Sequence, residues 1–404
     1  MNPASLIAAQ CPVCSHAIAV PFFDGGLQTL ATLGWPSSAE EARGMPRYPQ
    51  DFVQCPQCTH VWNRSFTYDA IPYQNNPNRM FNKGGIWRGH LSKTRDLLAA
   101  RLPDQPVVVD IECGEGHFVR GLAEACDGRG RFVGFDPNVT GETGRGVEFH
   151  ARYFEPLADM AVFRPDAIVI RHVLEHLTDP ANFLNQLAWG ASMMEKPCWL
   201  FTEMPCIDRV FETGRLADFF YEHPSHFTTL SFRTLMQQAG EVAELDHGYD
   251  GEVIFALVRL EVPAAARQCA ERASTFARAS ESSRSAIRAQ MDALARSGKL
   301  VAIWGGTGKA AAFIHQFGAD ARRFPLVVDS DAEKAGTFVP GTGQEIVFKN
   351  ILKSRPVDII IIPTQWRAKD IVAEMARDDI RAGQVLIEHG GRLIDFFTGE
   401  HPYR

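Results

Sequence analysis

The chain has 404 residues, of which 45% are hydrophobic and 22% are charged, and its formal net charge is −7. This length predicts two or three domains, and the acidic balance gives no general attraction to nucleic acid or to an anionic membrane. No apolar run is long enough to span a bilayer, and the N-terminus lacks the pattern of a signal peptide. We therefore expect a cytoplasmic protein without a nucleic-acid or membrane partner; the sequence leaves its oligomeric state open.

Two Cys-x-x-Cys knuckles stand near the N-terminus, Cys11-Pro-Val-Cys14 and Cys55-Pro-Gln-Cys58. A disulfide framework is disfavoured in a reducing cytosol, and a redox motif would need only one knuckle. Four thiolates at this spacing predict one tetrahedral zinc ion. Because such a site has no open position, the metal is expected to stabilise the fold and to take no part in catalysis. The nearby His16 and His60 are predicted to be surface histidines.

The segment after the second knuckle predicts a connection to the next domain. A polar stretch broken by proline, Tyr68-Asp-Ala-Ile-Pro-Tyr73, is followed by Asn75, Asn76 and Asn78. We expect a loop here and predict that Tyr73 contacts the substrate. Residues 86–100 have helical spacing and stop before Pro103, which predicts the first helix of a central domain.

A strand, a glycine-rich turn and a helix are predicted next by Val107-Val-Val-Asp-Ile-Glu-Cys-Gly-Glu-Gly-His117. The β-branched run ends at Asp110, and Gly114 and Gly116 follow at alternate positions. The next strand ends in Asp136, an acid about twenty residues further on that can bind the ribose hydroxyls of an adenosine ligand. This pattern suits either a nicotinamide dinucleotide or S-adenosylmethionine (SAM).

The details of the turn favour SAM. A pyrophosphate cradle reads Gly-x-Gly-x-x-Gly, and Val119 stands here at the third position. The order acid-x-x-x-Gly-x-Gly resembles motif I of the class I methyltransferases, which usually have glycine where this chain has Glu112. We expect Glu112 either to crowd the methionine end of the cofactor or to contact its ammonium group.

Further strands alternate with helices and predict a parallel, doubly wound sheet. Asp166-Ala-Ile-Val-Ile170 and Cys198-Trp-Leu-Phe-Thr202 are the strongest. Ligands of such sheets lie beyond the carboxyl ends of the strands, which places His172 near the cofactor with Asp110 and Asp136. The stretch from His172 to Leu177 is expected to open a helix. Its His-x-x-Glu-His pattern is compatible with metal ligation, but it resembles a methyltransferase stretch that packs near the cofactor without binding metal.

The stretch Asp218-Phe-Phe-Tyr-Glu-His-Pro-Ser-His-Phe227 has the greatest density of reactive side chains. Pro224 disfavours helix at His223, so a loop or the end of a short strand is expected. Because an acid beside a histidine can orient it and raise its basicity, we predict catalytic roles for Tyr221, Glu222 and His223. The alternative is an aromatic lid with hydrogen-bonded histidines. A helix capped by Ser231 and ended by Gly240 is predicted to follow.

The C-terminal part repeats the strand, glycine turn and helix. An Ala/Arg/Ser/Glu-rich segment predicts a long linking helix with a kink near residues 280–285, and Leu300-Val-Ala-Ile-Trp-Gly-Gly-Thr-Gly-Lys309 follows it. Ala310 excludes a Walker A loop. Gly306 and Gly308 with Asp329 approximate a dinucleotide pattern, and Lys309 at a helix N-terminus would suit a phosphate.

We therefore predict an α/β protein. It has a class I SAM methyltransferase Rossmann-like core, a small N-terminal four-cysteine zinc domain and a C-terminal Rossmann-like domain. The predicted boundaries are residues 1–72 for the zinc domain, 73–260 for the methyltransferase domain, 261–298 for the linking helix and 299–404 for the C-terminal domain.

Nearly the whole chain resembles the zinc-containing C-methyltransferases of deoxysugar biosynthesis. The order of these parts carries the resemblance, together with the stretch Val327-Val-Asp-Ser-Asp-Ala-Glu-Lys334-Ala-Gly-Thr-Phe-Val-Pro340. The family loop commonly reads Tyr-His-Glu-His. Glu222 and His223 match its last two positions, whereas Phe220 stands for the first Tyr and Tyr221 for the first His.

The resemblance implies that the protein methylates a nucleotide-linked 4-keto sugar on carbon. It implies SAM and structural zinc as cofactors, proton removal by His223 steered by Glu222, and substrate contacts from residues of the C-terminal turn and the following strand. These are Gly306, Gly308, Lys309 and Asp329. Three alternatives stay open: an O- or N-methyltransferase on a related small molecule, an RNA methyltransferase with a zinc module, and an NAD-binding protein that is not an enzyme.

Overall fold

A computed structural model describes residues 6–33, 35–71, 84–139 and 146–404. The chain divides into two compact units, one up to Pro263 and one from Ala264 onward. The finer boundaries at residues 72, 260 and 298 stay predictions. Among the described residues, no helix is long and apolar enough to cross a membrane.

The first unit contains strands β1 to β12 and helices α1 to α7. Its strands are β1 Ile7–Ala8, β2 Ile18–Gln28, β3 Tyr48–Gln54, β4 Val61–Asn63, β5 Val107–Ile111, β6 Arg131–Phe135, β7 Val147–His150, β8 Ala167–Arg171, β9 Trp199–Pro205, β10 Ser225–His226, β11 Gly240–Gly248 and β12 Val253–Leu260. Its helices are α1 Ala39–Gly44, α2 Gly85–Ala99, α3 His117–Ala125, α4 Pro156–Phe163, α5 Pro180–Ser192, α6 Asp208–Thr213 and α7 Thr229–Ala239.

The second unit contains the remaining elements. Its strands are β13 Val301–Trp304, β14 Leu326–Asp329, β15 Ile346–Phe348, β16 Val357–Ile362, β17 Ala382–His389 and β18 Arg392–Asp395. Its helices are α8 Ala264–Arg296, α9 Lys309–Gln316, α10 Ile351–Ser354 and α11 Ala368–Arg377.

The central sheet of the first unit confirms the predicted class I methyltransferase fold. Its strand order is β11-β12-β9-β8-β5-β6-β7. Strands β5 to β9 are parallel, and β12 is inserted antiparallel between β9 and β11. Residues 107–109 form β5 because a β-branched run suits a strand that is buried on both faces. The glycine-rich turn therefore lies at the carboxyl edge of the sheet, next to the ends of β6 and β8.

The N-terminal sheet has the order β1-β2-β3-β4-β10 and is antiparallel. Its last strand, β10, belongs to the stretch 218–227, which was predicted to contain the catalytic side chains. In this strand, Ser225 pairs with Trp62 and His226 with Val61. Apolar side chains of the two regions also share one core: Phe52, Val61, Ile207, Val210 and Phe219. The N-terminal sheet thus packs against one side of this loop.

Two local predictions were wrong. Helix α7 is capped by Thr228, whose hydroxyl accepts from the Ser231 backbone N–H, and Ser231 returns a bond to the Thr228 N–H. Ser231 is therefore the third helical residue of a capping box, not the cap. The stretch after His172 forms only a short 3₁₀ turn at Leu174–His176 before α5 begins at Pro180.

The second unit is the predicted second Rossmann-like fold. Its sheet has the order β15-β14-β13-β16-β17-β18, with only β18 antiparallel. Helix α8 is helical over its whole length, including the region of the expected kink. Its Ile287 and Met291 are fully buried in the core of this unit.

Candidate active site and metal centre

The turn after β5 has the backbone conformation that its glycines predicted. Gly114 and Gly116 have φ angles of 56° and 75°, a region that glycine adopts without steric cost. A Cβ on Gly116 would lie 2.5 Å from the Phe149 ring, whereas one on Gly114 would meet nothing within 4 Å. Glu112 also has a positive φ, 54°, which is uncommon for a residue with a side chain. The turn therefore leaves open space beside Gly114, where a ligand can approach the backbone.

Asp136 stabilises this turn from the end of β6. Its carboxylate accepts hydrogen bonds from the backbone N–H of Gly114 at 2.9 Å and of Asn138 at 2.7 Å. Asp110 lies in β5 and is buried. Because β5 pairs with β6 in parallel up to Ile111, the predicted acids converge at one edge of the sheet.

The electrostatics of this edge suit a cationic ligand. Burial is the main cause that raises the pKa of Asp110 to about 7; the charge of Arg171 opposes this rise, and the charge of Asp136 adds to it. Burial and Asp136 together raise the pKa of Glu112 to about 8. The raised pKa values indicate that the surroundings of Asp110 and Glu112 do not fully stabilise their negative charges. SAM carries a sulfonium and an ammonium group, so the residues present fit this cofactor.

His172 lies at the same edge and belongs to a buried ionic network around Glu203. The Glu203 carboxylate contacts Arg171 at 2.8 Å and His172 at 3.2 Å, and it also pairs with His90 of α2. His172 lies 3.4 Å from Glu175 as well. Burial raises the pKa of Glu203, but the charge of Arg171 and the hydrogen bonds from both histidines hold that pKa well below its usual range.

The network also fixes the charge of His172. Burial alone would lower its pKa, but the close contacts with Glu175 and Glu203 raise it to about 9. His90 and Glu203 were missed by sequence reasoning, because they are 113 positions apart and neither stands in a recognisable motif. Only the packing of α2 on the sheet brings them together.

A second group of ionisable side chains links the turn after β8 to the predicted catalytic loop. Single donor atoms of Glu175, His176 and His223 lie within 4.8 Å of one another. The His176 and His223 rings are edge to face, with centroids 4.7 Å apart. His176 Nδ1 donates to the Glu222 carbonyl oxygen at 2.8 Å, so its neutral ring has the lone pair on Nε2. From the sequence, His176 was predicted to be either a metal ligand or a residue that packs near the cofactor.

His223 is held as a neutral imidazole. Burial is the main reason that its pKa lies well below the usual range, and the charges of His176, His226 and His172 act in the same direction. Phe220 lies against it, with a distance of 4.1 Å between ring centroids. A neutral imidazole at neutral pH is in the form that accepts a proton.

The other two residues predicted to be catalytic have contacts that stabilise the fold. Glu222 is fully buried, and its Oε1 accepts from the backbone N–H groups of residues 31–33 at 2.7, 2.7 and 3.1 Å. Tyr221 is 1% exposed, and its hydroxyl accepts from the Thr67 N–H at 3.0 Å. The catalytic roles of Glu222 and Tyr221 stay predictions, and Tyr73 lies outside the described residues.

The four cysteines of the two knuckles meet as predicted. Their sulfur atoms lie within 4.8 Å of one another, with Cys11 Sγ 3.6 Å from Cys58 Sγ and Cys14 Sγ 3.5 Å from Cys55 Sγ. Tetrahedral zinc with Zn–S bonds of about 2.3 Å requires sulfur separations of roughly 3.8 Å. The thiols therefore fit a zinc ion.

His60 is not the surface residue that was expected. It is fully buried; its ring stacks on Trp62 at a centroid distance of 6.1 Å and packs in a tilted arrangement on Phe227 at 4.7 Å. Burial is the main cause that lowers its pKa to about 3. This histidine belongs to the packing between Trp62 of β4 and Phe227, which directly follows β10.

In the second unit, the predicted substrate residues lie at the carboxyl edge of its sheet. Gly306 is buried, and a Cβ added there would lie 2.3 Å from the Ile346 side chain; Gly308 has a φ of 57°. Lys309 begins α9 and donates to the Gln365 side chain. Asp329 ends β14 and lies 3.4 Å from Lys334. The four residues therefore belong to one strand edge, and their role in substrate binding stays a prediction.

Comparison with known proteins identifies the chemistry of the first unit. The family model described as a methyltransferase domain matches residues 86–242, and the one described as a C-methyltransferase C-terminal domain matches residues 241–389. The protein is a SAM-dependent methyltransferase. The methyltransferase is 27% identical over 416 residues to C-methyltransferase NovU of Streptomyces niveus, an alignment that covers 95% of this chain and 94% of the relative.

Solved methyltransferase structures also resemble this methyltransferase. The N-methyltransferase NodS from Bradyrhizobium japonicum WM9 is 16% identical, with a TM-score of 0.30 and coverage of 45% of this chain and 100% of that chain. Magnesium protoporphyrin IX methyltransferase from Synechocystis PCC 6803, solved with bound SAH, is also 16% identical; its TM-score is 0.30, with coverage of 43% and 85%.

Proposed function

We propose that the methyltransferase transfers a methyl group to carbon of a nucleotide-linked 4-keto sugar, through an enolate. The observation that carries this proposal is the neutral His223, which packs against His176 near the carboxyl edge of the seven-stranded sheet in the first unit. Carbon next to a ketone becomes nucleophilic only after a proton is removed, and O- or N-methylation places a smaller demand on a base. The match to a C-methyltransferase C-terminal domain supports the same chemistry.

His223 is the proposed base. It accepts the proton from the carbon beside the 4-keto group, at a place where its ring lies in one cluster with Glu175 and His176. Bound SAM supplies the electrophilic methyl group. The chain contributes orientation, because both reaction partners are held at one edge of the sheet, and such positioning lowers the barrier substantially.

We further propose that Cys11, Cys14, Cys55 and Cys58 bind a structural zinc ion. The zinc would fix the sheet β1-β2-β3-β4-β10, whose last strand follows His223 by two residues. In the second unit we assign phosphate binding to Lys309 and the Gly306–Gly308 turn, and ribose or sugar contacts to Asp329. Glycine beside the N-terminus of α9 lets an anion reach backbone N–H groups.

An O-methyltransferase is the second candidate, and Phe220 favours it. The phenylalanine lies directly against His223 at a position where related loops commonly have tyrosine. A phenyl ring can neither donate nor accept a proton. If that tyrosine is required for enolisation, this chain must transfer the methyl group to a more reactive acceptor.

Isotopically labelled SAM and a panel of substrates separate these functions. Purified protein is incubated with nucleotide-linked 4-keto sugars and with their 4-hydroxy counterparts, and products are analysed by mass spectrometry and NMR. We expect a one-methyl gain only on keto sugars, with the new methyl bonded to carbon. A gain on hydroxy sugars with an oxygen-bound methyl would establish the second candidate instead, and no gain on either would overturn the sugar assignment.

A further inference from the structure

Four polar side chains meet in the first unit at a place that the methyl transfer does not use. Cys206 follows β9, Asp208 begins α6, Thr229 begins α7, and His247 lies in β11. One donor atom each from Cys206, Asp208 and His247 lie within 4.8 Å of one another. Three separate parts of the chain, at residues 206–208, Thr229 and His247, thus converge on one small volume.

The distances within this cluster are those of a nearly formed metal site. Cys206 Sγ lies 3.8 Å from His247 Nε2, and a tetrahedral ion with a sulfur bond of about 2.3 Å and a nitrogen bond of about 2.0 Å requires roughly 3.5 Å. A movement of a few tenths of an ångström would bring both atoms within bonding distance. Sulfur, imidazole nitrogen and carboxylate oxygen are all ligands that zinc accepts.

Hydrogen bonds also join the four side chains of this cluster. Thr229 Oγ1 donates to Asp208 Oδ2 at 2.5 Å, and it therefore accepts from His247 Nε2 at 2.9 Å. Cys206 Sγ lies 4.0 Å from Thr229 Oγ1 as well as 3.8 Å from His247 Nε2. A cation between the three donors would use the lone pairs of all of them at once.

A cavity of about 610 Å³ adjoins the cluster. Asp208, Thr229 and the exposed Arg233 are among its lining residues. Three protein ligands leave one tetrahedral position for water or another small ligand, and zinc sites with an open position are built in this way. Of the three proposed ligands, Asp208 lines this cavity, which would give a metal ion a path of entry from that side.

We propose that Cys206, Asp208 and His247 bind a second divalent transition-metal ion, of which zinc is the preferred one, with the fourth position facing this cavity. The site is distinct from the four-cysteine centre and does not depend on the proposed sugar substrate. Among the described residues, these two clusters are the ones that combine cysteine with further metal-binding side chains.

Metal binding to the full-length protein tests this proposal directly. Protein adjusted to one zinc equivalent, which the four-cysteine centre retains, is titrated with Co²⁺. We expect one further equivalent to bind and to give a sulfur-to-cobalt charge-transfer band. Cys206→Ala and His247→Ala should each weaken this binding by at least about 10-fold, since loss of a direct ligand costs no less than loss of a supporting residue. Cys269→Ala, which removes an exposed cysteine, should leave it unchanged.

Circular dichroism and retention of the first zinc equivalent establish that the variants are folded. If either alanine variant fails these checks, His247→Gln and Asp208→Asn replace it, because both preserve shape and lose a strong ligand. The proposal is overturned if the wild-type protein binds no Co²⁺ beyond the four-cysteine centre. It is equally overturned if the folded variants bind the second equivalent as tightly as the wild type.

Discussion

The imidazole rings of His176 and His223 meet edge to face, with centroids 4.7 Å apart and planes inclined at 80°. His176 follows strand β8 of the seven-stranded sheet, and His223 belongs to a loop that continues into strand β10 of the N-terminal sheet. The contact therefore brings the proposed base, His223, close to the sheet edge where SAM is expected to bind. It is the geometric basis for the following prediction on catalysis.

We expect His223→Ala to abolish most turnover and to leave SAM binding intact. Removal of a general base typically costs about 10²–10⁴-fold in rate, and His223 belongs to a different loop from the glycine turn at Gly114 and Gly116. Turnover is measured with labelled SAM, and SAM affinity by calorimetry. His315→Asn, a change at an exposed histidine of the second unit, serves as the control. Unchanged turnover in folded His223→Ala would refute the assignment.

Glu222→Ala should destabilise the protein more than it disturbs SAM binding. The substitution removes the acceptor of three backbone N–H groups, and unsatisfied buried donors cost about 1–3 kcal/mol each. We expect the free energy of unfolding in urea to fall by at least about 2 kcal/mol. Glu222→Gln keeps an acceptor and should lose less, and the exposed Glu40→Ala is the control. Lost turnover in Glu222→Gln with unchanged unfolding would instead support the steering of His223.

Tyr221→Phe distinguishes a structural hydroxyl from a catalytic one. It removes the acceptor of the Thr67 N–H and keeps the ring that stacks on Tyr48 at 4.8 Å. We expect a loss of roughly 1–3 kcal/mol in stability with near-normal turnover well below the melting temperature. Tyr48→Phe is the matched control. A large fall in kcat without a shift in melting temperature would show that the Tyr221 hydroxyl takes part in the reaction.

SAM binding should become tighter as the pH rises from 6 to about 8.5. The pKa values of Asp110 and Glu112 are raised to about 7 and about 8, so both groups are largely neutral at pH 6 and gain negative charge over this interval. A cationic ligand binds the charged forms better. Calorimetry with SAM and with S-adenosylhomocysteine, which lacks the sulfonium charge, measures the difference. Glu112→Gln should flatten the SAM profile; a profile that does not change with pH would contradict this electrostatic account.

Loss of the first zinc ion should unfold the N-terminal sheet. Cys55→Ser is expected to reduce zinc content and the melting temperature together, because metal binding and folding of such a site are coupled. Chelation of the wild-type protein should have the same effect. Cys269→Ser keeps all four knuckle cysteines and should behave like the wild type. Full stability of metal-free protein would exclude a structural role for the ion.

The features that the sequence determined by itself are local in the chain. The strand, turn and helix around Gly114 follow from β-branched residues, two glycines and helical spacing within about a dozen residues, and the knuckle spacing predicts a four-thiol centre because both pairs are short and rigid. The class of fold followed from the alternation of such units. Neighbouring residues fix these conformations, so no knowledge of the tertiary structure is required.

Tertiary structure decided the contacts of the functional side chains. Glu222 is adjacent to His223 in sequence, yet its carboxylate binds the backbone of residues 31–33, because the loop is packed against the N-terminal sheet. His90 meets Glu203, and Cys206 meets His247, only because helix α2 and strand β11 pack where they do. The direction of these side chains depends on long-range packing and strand pairing. Neither of these produces a local pattern in a single sequence.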